Sequence, residues 1–418
     1  MNFKPDRDYA SILDSQDPLK SYRDKFYIPQ KPNGEEVIYF AGNSLGLQPK
    51  SVGANVEQEL KDWGTMGVEG HMHAKNPWLP YHEFLTKETA KLVGAKLEEV
   101  VNMNSLTVNL HLMMVSFYRP TPQRHKILIE ANAFPSDHYA VQSQIKFHGY
   151  NPAEALIEMK PREGEAIIRT EDIESLIKKE GDSIALIMFA GVNYYTGQAF
   201  DFESITKAGH EKWCVVGFDL AHAAGNLILN LHDWDVDFAV WCNYKYLNGG
   251  PGAIGGAFVH KKHLLDMNIP KFWGWWGQDK ATRFLMRHNF QPIPTVESWQ
   301  LSNPPILQLA ALKASLDIFD EAGMDALRGK SEKLTGYMEY LIDEKNDGNI
   351  EIITPKGVKQ RGCQLSLRAK TNGKSIHKKL NRAGVVCDWR EPDVIRVAPV
   401  PMYNTFTDVW KFVENLFK

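Results

Sequence analysis

The sequence predicts an α/β protein in which a large domain with a mostly parallel central sheet precedes a smaller α+β domain. Three observations carry this. Helical and strand-like stretches alternate through the middle of the chain, the pattern of parallel strands joined by helical crossovers. The strand-like runs there, such as KILIE, SIALIMF and CVVGF, are apolar on successive residues, so both of their faces are buried. Beyond residue 304 helices and strands alternate again and CQLSLRA alternates with period two, which reads as a small α+β domain.

Taken in order, the first ~35 residues are short helical pieces broken at Asp-Pro and Ile-Pro, an arm lying on the rest. VIYF is a short strand, and AGNSLGLQPK turns sharply out of it at Gly42 and Gly46. Helices are expected over roughly residues 51–64 and 81–92, and a long apolar helix opens at Leu106 and Thr107. KILIE is a strand, and ANAFPSDHYA leads into a helix. EDIESLIKKEG, SIALIMF and DFESITKAGHEKW continue helix, strand, helix. Two strands then end on reactive side chains, the first at Asp219 and the second at Lys245. Pro304 and Pro305 open a long amphipathic helix, and the domain boundary is placed there. The division is an arm over residues 1–45 that packs with the small domain, a large domain over 46–303, and a small domain over 304–418. The last unit holds a helix near 330–344, strands at EIITP, CQLSLRA, VVCDWR and VIRVAPV, a helix from Ser375 and a terminal helix.

Bulk properties narrow the function. With 418 residues the chain can bury a large core, and 43% hydrophobic against 24% charged residues is ordinary for a soluble globular protein. A net charge of -3 supplies no basic field for nucleic acid or an anionic membrane, so a small-molecule substrate is expected. The charged amino terminus lacks the apolar core of a secretory signal, and no apolar run is long enough to cross a bilayer. Cys214, Cys242, Cys363 and Cys387 are scattered without CxxC pairing, which reads as reduced thiols in a cytoplasmic protein.

Some motifs fail on context. Gly250, Gly252 and Gly255 match GxGxxG but lead into the strand GAFVH rather than a helix, and GKS at 373–375 lacks the upstream glycine of a phosphate loop. His71 and His73 share a face only in an extended strand and have no further ligand at metal spacing, so no metal is expected.

The stretch from Cys214 to Gly256 carries the chemistry. Buried parallel strands deliver side chains at their carboxyl ends, so Asp219 and Lys245 point to one crevice, with His222 a turn beyond the aspartate and Tyr244 beside the lysine. Pyridoxal phosphate catalysis needs such parts: a lysine to hold the aldehyde as a Schiff base, and an aspartate to keep the pyridine nitrogen protonated. The start of the helix at Leu106 and Thr107 offers unpaired N–H groups suited to a phosphate, as any buried helix start would. Arg396 stands in an apolar strand where it must pair either with an internal carboxylate or with a substrate anion.

FDLAHAAGN and CNYKYLNGGPG resemble the cofactor-binding segments of the kynureninase family, within the fold-type-I, aminotransferase-like superfamily. YFAGNSLGLQPK, LTVNLHLMMVSFYRPTP, FPSDHYA, GDSIALIMFAGVNYYTGQ, SNPPILQ, RGCQL and IRVAPVPMYN extend the resemblance along almost the whole chain. It implies pyridoxal 5'-phosphate bound covalently to Lys245, with Lys245, Tyr244 and Asp219 catalytic. The cofactor would be held by Leu106 and Thr107 at its phosphate, by Phe134, Asp137, Asp219 and His222 around its ring, and by Tyr244. Trp275 and Asn303 would reach it across a homodimer interface. Arg396 would grip the substrate α-carboxylate, with His71, Ser44 and Asn303 near its aryl ring. Ala190 departs from the serine expected there.

The implied reaction is hydrolytic Cβ–Cγ cleavage of L-kynurenine or 3-hydroxy-L-kynurenine to an anthranilate and L-alanine, in tryptophan breakdown or nicotinamide-precursor synthesis. Rival readings are an aminotransferase or cysteine desulfurase of the same fold, a non-catalytic cofactor-binding relative, and a metal hydrolase built on Asp219, His222, His232 and Asp233. For the desulfurase the candidate nucleophile, Cys363, lies in a strand-like run and reads as core.

Overall fold

The computed structural model describes residues 3–266 and 268–418. The amino-terminal segment forms the helix Arg7–Ser15, capped by the Asp6 side chain, and a two-residue strand β1 (Ile38–Tyr39). A seven-stranded sheet follows, from β2 (Val100–Asn102), β3 (Lys126–Glu130), β4 (Leu156–Met159), β5 (Ile184–Ala190), β6 (Val215–Asp219), β7 (Phe238–Cys242) and β8 (Gly255–Val259). The spatial order is β2-β8-β7-β6-β5-β3-β4. From β4 to β7 all pairs are parallel, and β8 alone runs against its neighbours β7 and β2. The antiparallel return follows from the connection: residues 243–254 carry no helix, and a parallel crossover requires one or an equivalent span.

Strands β5 to β8 are buried almost throughout, and apolar cores cover both faces of the sheet. Gly256 of β8 is required by packing, because a Cβ there would lie 2.1 Å from Cε2 of the buried Trp241. The chain leaves β3 for β4 on one side and returns to β5 on the other, so the strand ends at Glu130 and Ala190 flank the point where the winding reverses.

The carboxyl-terminal part is a four-stranded antiparallel sheet in the order β12-β13-β10-β9, made of β9 (Ile350–Ile352), β10 (Leu365–Ala369), β12 (Asp388–Arg390) and β13 (Val394–Val397). VVCDWR is not one strand. It breaks at Cys387, so that β11 (Val385–Val386) pairs with β1 in parallel while β12 pairs with β13. The helix Arg7–Ser15 packs on the terminal helix Phe406–Leu416, where Asp14 accepts hydrogen bonds from the amides of Phe406 and Thr407. The long helix Ile306–Ala322 packs on the helices Val52–Met66 and Thr86–Val93.

One buried carboxylate ties the amino ends of β6 and β7 together. Asp237 Oδ2 accepts from the Val216 amide at 2.7 Å and from His210 Nε2 at 2.9 Å, and Oδ1 meets His263 Nε2 at 2.8 Å. Lys262 Nζ lies 3.0 Å away. Burial alone would raise this carboxyl, but the bonds from His210 and His263 and the charge of Lys262 outweigh it and hold it well below the usual carboxylate range. A depressed folded pKa contributes stability above the unfolded value and loses it as pH falls toward the folded one. Asp237→Asn is expected to cost about 3 kcal/mol in urea denaturation at pH 7, and the deficit is expected to shrink as the pH is taken below ~4.

Candidate active site

The carboxyl ends of β5 and β6 open on a cavity of about 160 Å³, lined among others by Leu106, Thr107, Phe134, Asp137, Asp219, His222, Tyr244 and Lys245. These eight residues, singled out from the sequence, come from four separate segments. Trp275, Asn303, His71, Ser44 and Arg396 are not on its wall.

Asp219 ends β6 as expected, and its Oδ1 accepts from the Ala221 amide at 2.7 Å. Lys245 departs from the expectation: β7 stops at Cys242, and the lysine stands three residues further on, in the turn that follows. Its Nζ lies 3.1 Å from His222 Nε2 and 5.8 Å from the ring centres of both Phe134 and Tyr244. Burial, reinforced by the Lys245 charge, holds the His222 imidazole well below its usual range, so it is neutral and accepts from the ammonium. The Tyr244 phenol is pushed up by burial and donates rather than ionises.

Asp137, in the first turn of the helix Pro135–Phe147, faces Asp219. Burial and then the Asp219 and Glu130 charges raise Asp137 well above the usual range. Burial raises Asp219 as well, but the Ala221 amide, the Lys245 charge and the bond to Asp137 oppose that rise, so Asp219 is the more acidic of the two and the shared proton belongs to Asp137. Behind them Glu130, at the end of β3, accepts from the Ala190 amide at 3.2 Å and is pushed up to about 8 by burial.

The opening turn of the helix Leu106–Phe117 is ready for an anion, because the Ser105 side chain does not cap it. Thr107 Oγ1 lies 3.0 Å from Ser136 Oγ at the cavity wall. Two buried polar atoms in this wall, His222 Nδ1 and Asp137 Oδ1, have no hydrogen-bond partner. A group carrying a phosphate, an aldehyde to take up the lysine, and a ring nitrogen fits this donor set.

Arg396, 1% exposed on β13, donates to the Tyr194 carbonyl at 2.9 Å and to Asp388 Oδ2 at 2.5 Å. Of its two sequence alternatives, the internal carboxylate is the one present. Ser44 hydrogen-bonds the same Asp388 oxygen. His71 lies in the helical turn Gly70–His73, with Nδ1 2.9 Å from the Val68 carbonyl and its ring against Trp78. Trp275, 43% exposed, donates to the Arg283 carbonyl, and Asn303 is exposed. The metal-hydrolase grouping is dispersed, since His232 and Asp233 precede β7 at its amino end, where His232 bonds Glu99, while Asp219 and His222 follow the carboxyl end of β6.

Ser136, Val192 and Tyr194 line the cavity and were not singled out. Ser136 follows the Pro of a helix start, and Tyr194 lies in the loop just past a buried strand, the places where open sheets present ligand contacts. Glu130 ends an apolar strand in the same way as Asp219, so the same signal was available.

A family model described as "Kynureninase C-terminal domain" matches residues 327–416. A Myxococcus xanthus protein named kynureninase is 59% identical, with 99% of this chain and 97% of the relative covered. Relatives of the same name from Nematostella vectensis and Rattus norvegicus are each 50% identical, covering 98% of this chain and 93% and 92% of their own lengths. The chain belongs to the kynureninase family.

Among solved structures, a cysteine desulfurase of Escherichia coli has a TM-score of 0.76 at 15% identity, covering 99% of this chain and 98% of that one. One from Thermococcus onnurineus has a TM-score of 0.75 at 18% identity, covering 93% and 97%. This is the fold-type-I architecture that the sequence predicted. In this family member the four cysteines are all buried, and burial pushes Cys214 up to about 11 and Cys363 and Cys387 up to about 12. A persulfide-forming nucleophile needs the opposite environment. Titration of the native protein with an aromatic disulfide reagent at pH 8 is expected to label no cysteine rapidly, and all four once the chain is unfolded.

Proposed function

We propose that the chain hydrolyses the Cβ–Cγ bond of L-kynurenine or its 3-hydroxy form, giving the corresponding anthranilate and L-alanine, with pyridoxal phosphate held on Lys245. The observation that carries this is the meeting of Lys245, Asp219 and a neutral His222 around one cavity. It occurs in a chain half or more identical, over nearly its whole length, to proteins named kynureninase.

When bound, the cofactor supplies an electron sink for the charge left at the substrate Cα. The residues divide the remaining work. Leu106 and Thr107 present first-turn N–H groups to the phosphate. Asp219 keeps the ring nitrogen protonated, and Asp137, holding its own proton, leaves Asp219 as the single carboxylate at that edge. Phe134 and Tyr194, with ring centres 5.2 Å apart and edge to face, form an aromatic wall. Lys245 would take the Cα proton, with His222 as a neutral neighbour that does not repel its charge. Tyr244 donates to the phosphate and relays a proton. Arg396 grips the α-carboxylate, and Ser44 and His71 stand toward the aryl ring. Water adds at the γ-carbonyl carbon, and the Cβ–Cγ bond breaks to release the anthranilate before alanine.

We place the working unit as a homodimer. The cavity of one chain lacks Trp275 and Asn303, and Trp275 forms an exposed aromatic pair with Phe284, ring centres 5.5 Å apart, that a second copy would cover. The arm and the small domain would close over the site. Among the described residues no helix is long and apolar enough to cross a membrane, which suits the cytoplasmic setting that the thiols suggest.

Purified protein is expected to show the visible absorption of lysine-bound cofactor and to release fluorescent anthranilate from L-kynurenine. Lys245→Ala is expected to lose the band and at least ~1,000-fold in rate; absorption without anthranilate release would move the chain to another activity of the same fold. Mixing Lys245→Ala with Trp275→Ala subunits is expected to restore up to about a quarter of the parental activity through one intact site per mixed dimer, and no recovery would show that Trp275 does not cross the interface.

A further inference from the structure

Arg396, Asp388 and Arg390 form a row on one face of the β12-β13 hairpin. Asp388 and Arg390 are two residues apart on β12 and so point the same way, and Asp388 lies directly opposite Arg396 in the strand register. One oxygen does most of the work. Asp388 Oδ2 is 2.5 Å from Arg396 Nη2 and 3.6 Å from Arg390 Nη2, and it also takes the Ser44 hydroxyl.

The guanidinium of Arg396 is therefore occupied by partners within the chain. Nη1 is committed to the Tyr194 carbonyl and Nη2 to Asp388, and only Nε, also buried, has no partner. A carboxylate recognised by the planar fork needs two parallel donors. Nε is free, but Nη2 beside it is held by another anion. If Asp388 stayed in place, two carboxylates would share the buried cation of Arg396, while Arg390 on the same face would keep only its longer, 3.6 Å contact to Asp388. Two anions and two cations balance if Asp388 moves along the row.

We propose that Asp388 is an exchangeable counterion: it neutralises Arg396 in the resting enzyme and passes to Arg390 when the substrate carboxylate docks. This rests on the reading of Arg396 as the carboxylate anchor. Asp388 then sets substrate affinity by competing for the anchor, and Arg390 sets it by receiving the displaced group. Both act through Arg396 and are positioning residues. The device explains why a buried guanidinium is stable without substrate yet available to it, since leaving it bare would be strongly destabilising.

The test is steady-state kinetics of the holoenzyme with L-kynurenine, comparing Asp388→Asn, Arg390→Gln, their combination and Arg396→Gln. Asp388→Asn keeps the shape and a neutral acceptor while removing the competing charge. It is expected to lower KM at least ~fivefold with kcat within about twofold, the signature of altered ground-state binding. Arg390→Gln is expected to raise KM by a similar factor, and to have no further effect in the Asp388→Asn background, because there is no charge left to receive. A rise in KM for Asp388→Asn, with Arg396→Gln also raising it, would overturn the exchange and leave Asp388 as an orienting partner only. Independent, additive effects of the Asp388 and Arg390 changes would equally overturn it. An unchanged KM in Arg396→Gln would remove the anchor itself, and with it both readings.

Discussion

Three carboxyl groups, Glu130, Asp137 and Asp219, crowd the ends of adjacent elements opposite a single lysine, and the site depends on which of them gives up its proton. All three are buried, so each ionisation is costly unless something answers the charge. Asp219 has the Ala221 amide and Lys245; Asp137 has mainly its hydrogen bond to Asp219; Glu130 has the Ala190 amide and one oxygen without a partner. The inequality leaves Asp219 more acidic than Asp137, with the Lys245 charge opposing the effect of its burial. His222 obeys the same constraint from the other side, since a charged imidazole 3.1 Å from an ammonium in a buried site would be strongly repelled.

The geometry of this pair is held from outside the sheet. Lys245 sits in a turn rather than a strand, so its position is fixed by what packs on that turn. The Gly46 amide donates to the Tyr244 carbonyl at 2.9 Å, and a Cβ at Gly46 would come within 2.3 Å of the Lys245 carbonyl oxygen. The approach of the amino-terminal segment is thus close enough to exclude any side chain. Arg396 gathers the same parts of the chain: Tyr194 from the loop after β5, Ser44 from the turn after β1, and Asp388 from β12. Cavity and anchor are consequently mechanically coupled through the segment from Ala41 to Gly46.

Much of this was legible in the sequence. Apolar runs ending on a polar residue located β6 and Asp219, and the apolar run from Leu106 located a helix start, whose part in binding a phosphate only the family resemblance implied. The same rule applied to KILIE would have found Glu130, whose carboxylate looked like an ordinary strand terminus because nothing nearby in sequence marks it. Lys245 was recognised, but its strand was drawn three residues too long, since Asn243 and Tyr244 are compatible with an extended run and only the ladder shows where pairing stops. Tyr194 and Ser136 were passed over because a polar loop and a helix start are common, and their meaning comes from what stands across the cavity.

By itself the sequence determined the alternation of helices and buried strands, the parallel core of the sheet, and the strand end at Asp219, because periodicity and strand-end chemistry are local and are written in consecutive residues. Only the tertiary structure decided that β8 turns back antiparallel, that Asp137 rather than Asp219 keeps the shared proton, and that Asp388 lies opposite Arg396. Those outcomes depend on strand order, register and the sum of charges brought together from distant segments, quantities that no single stretch of sequence contains.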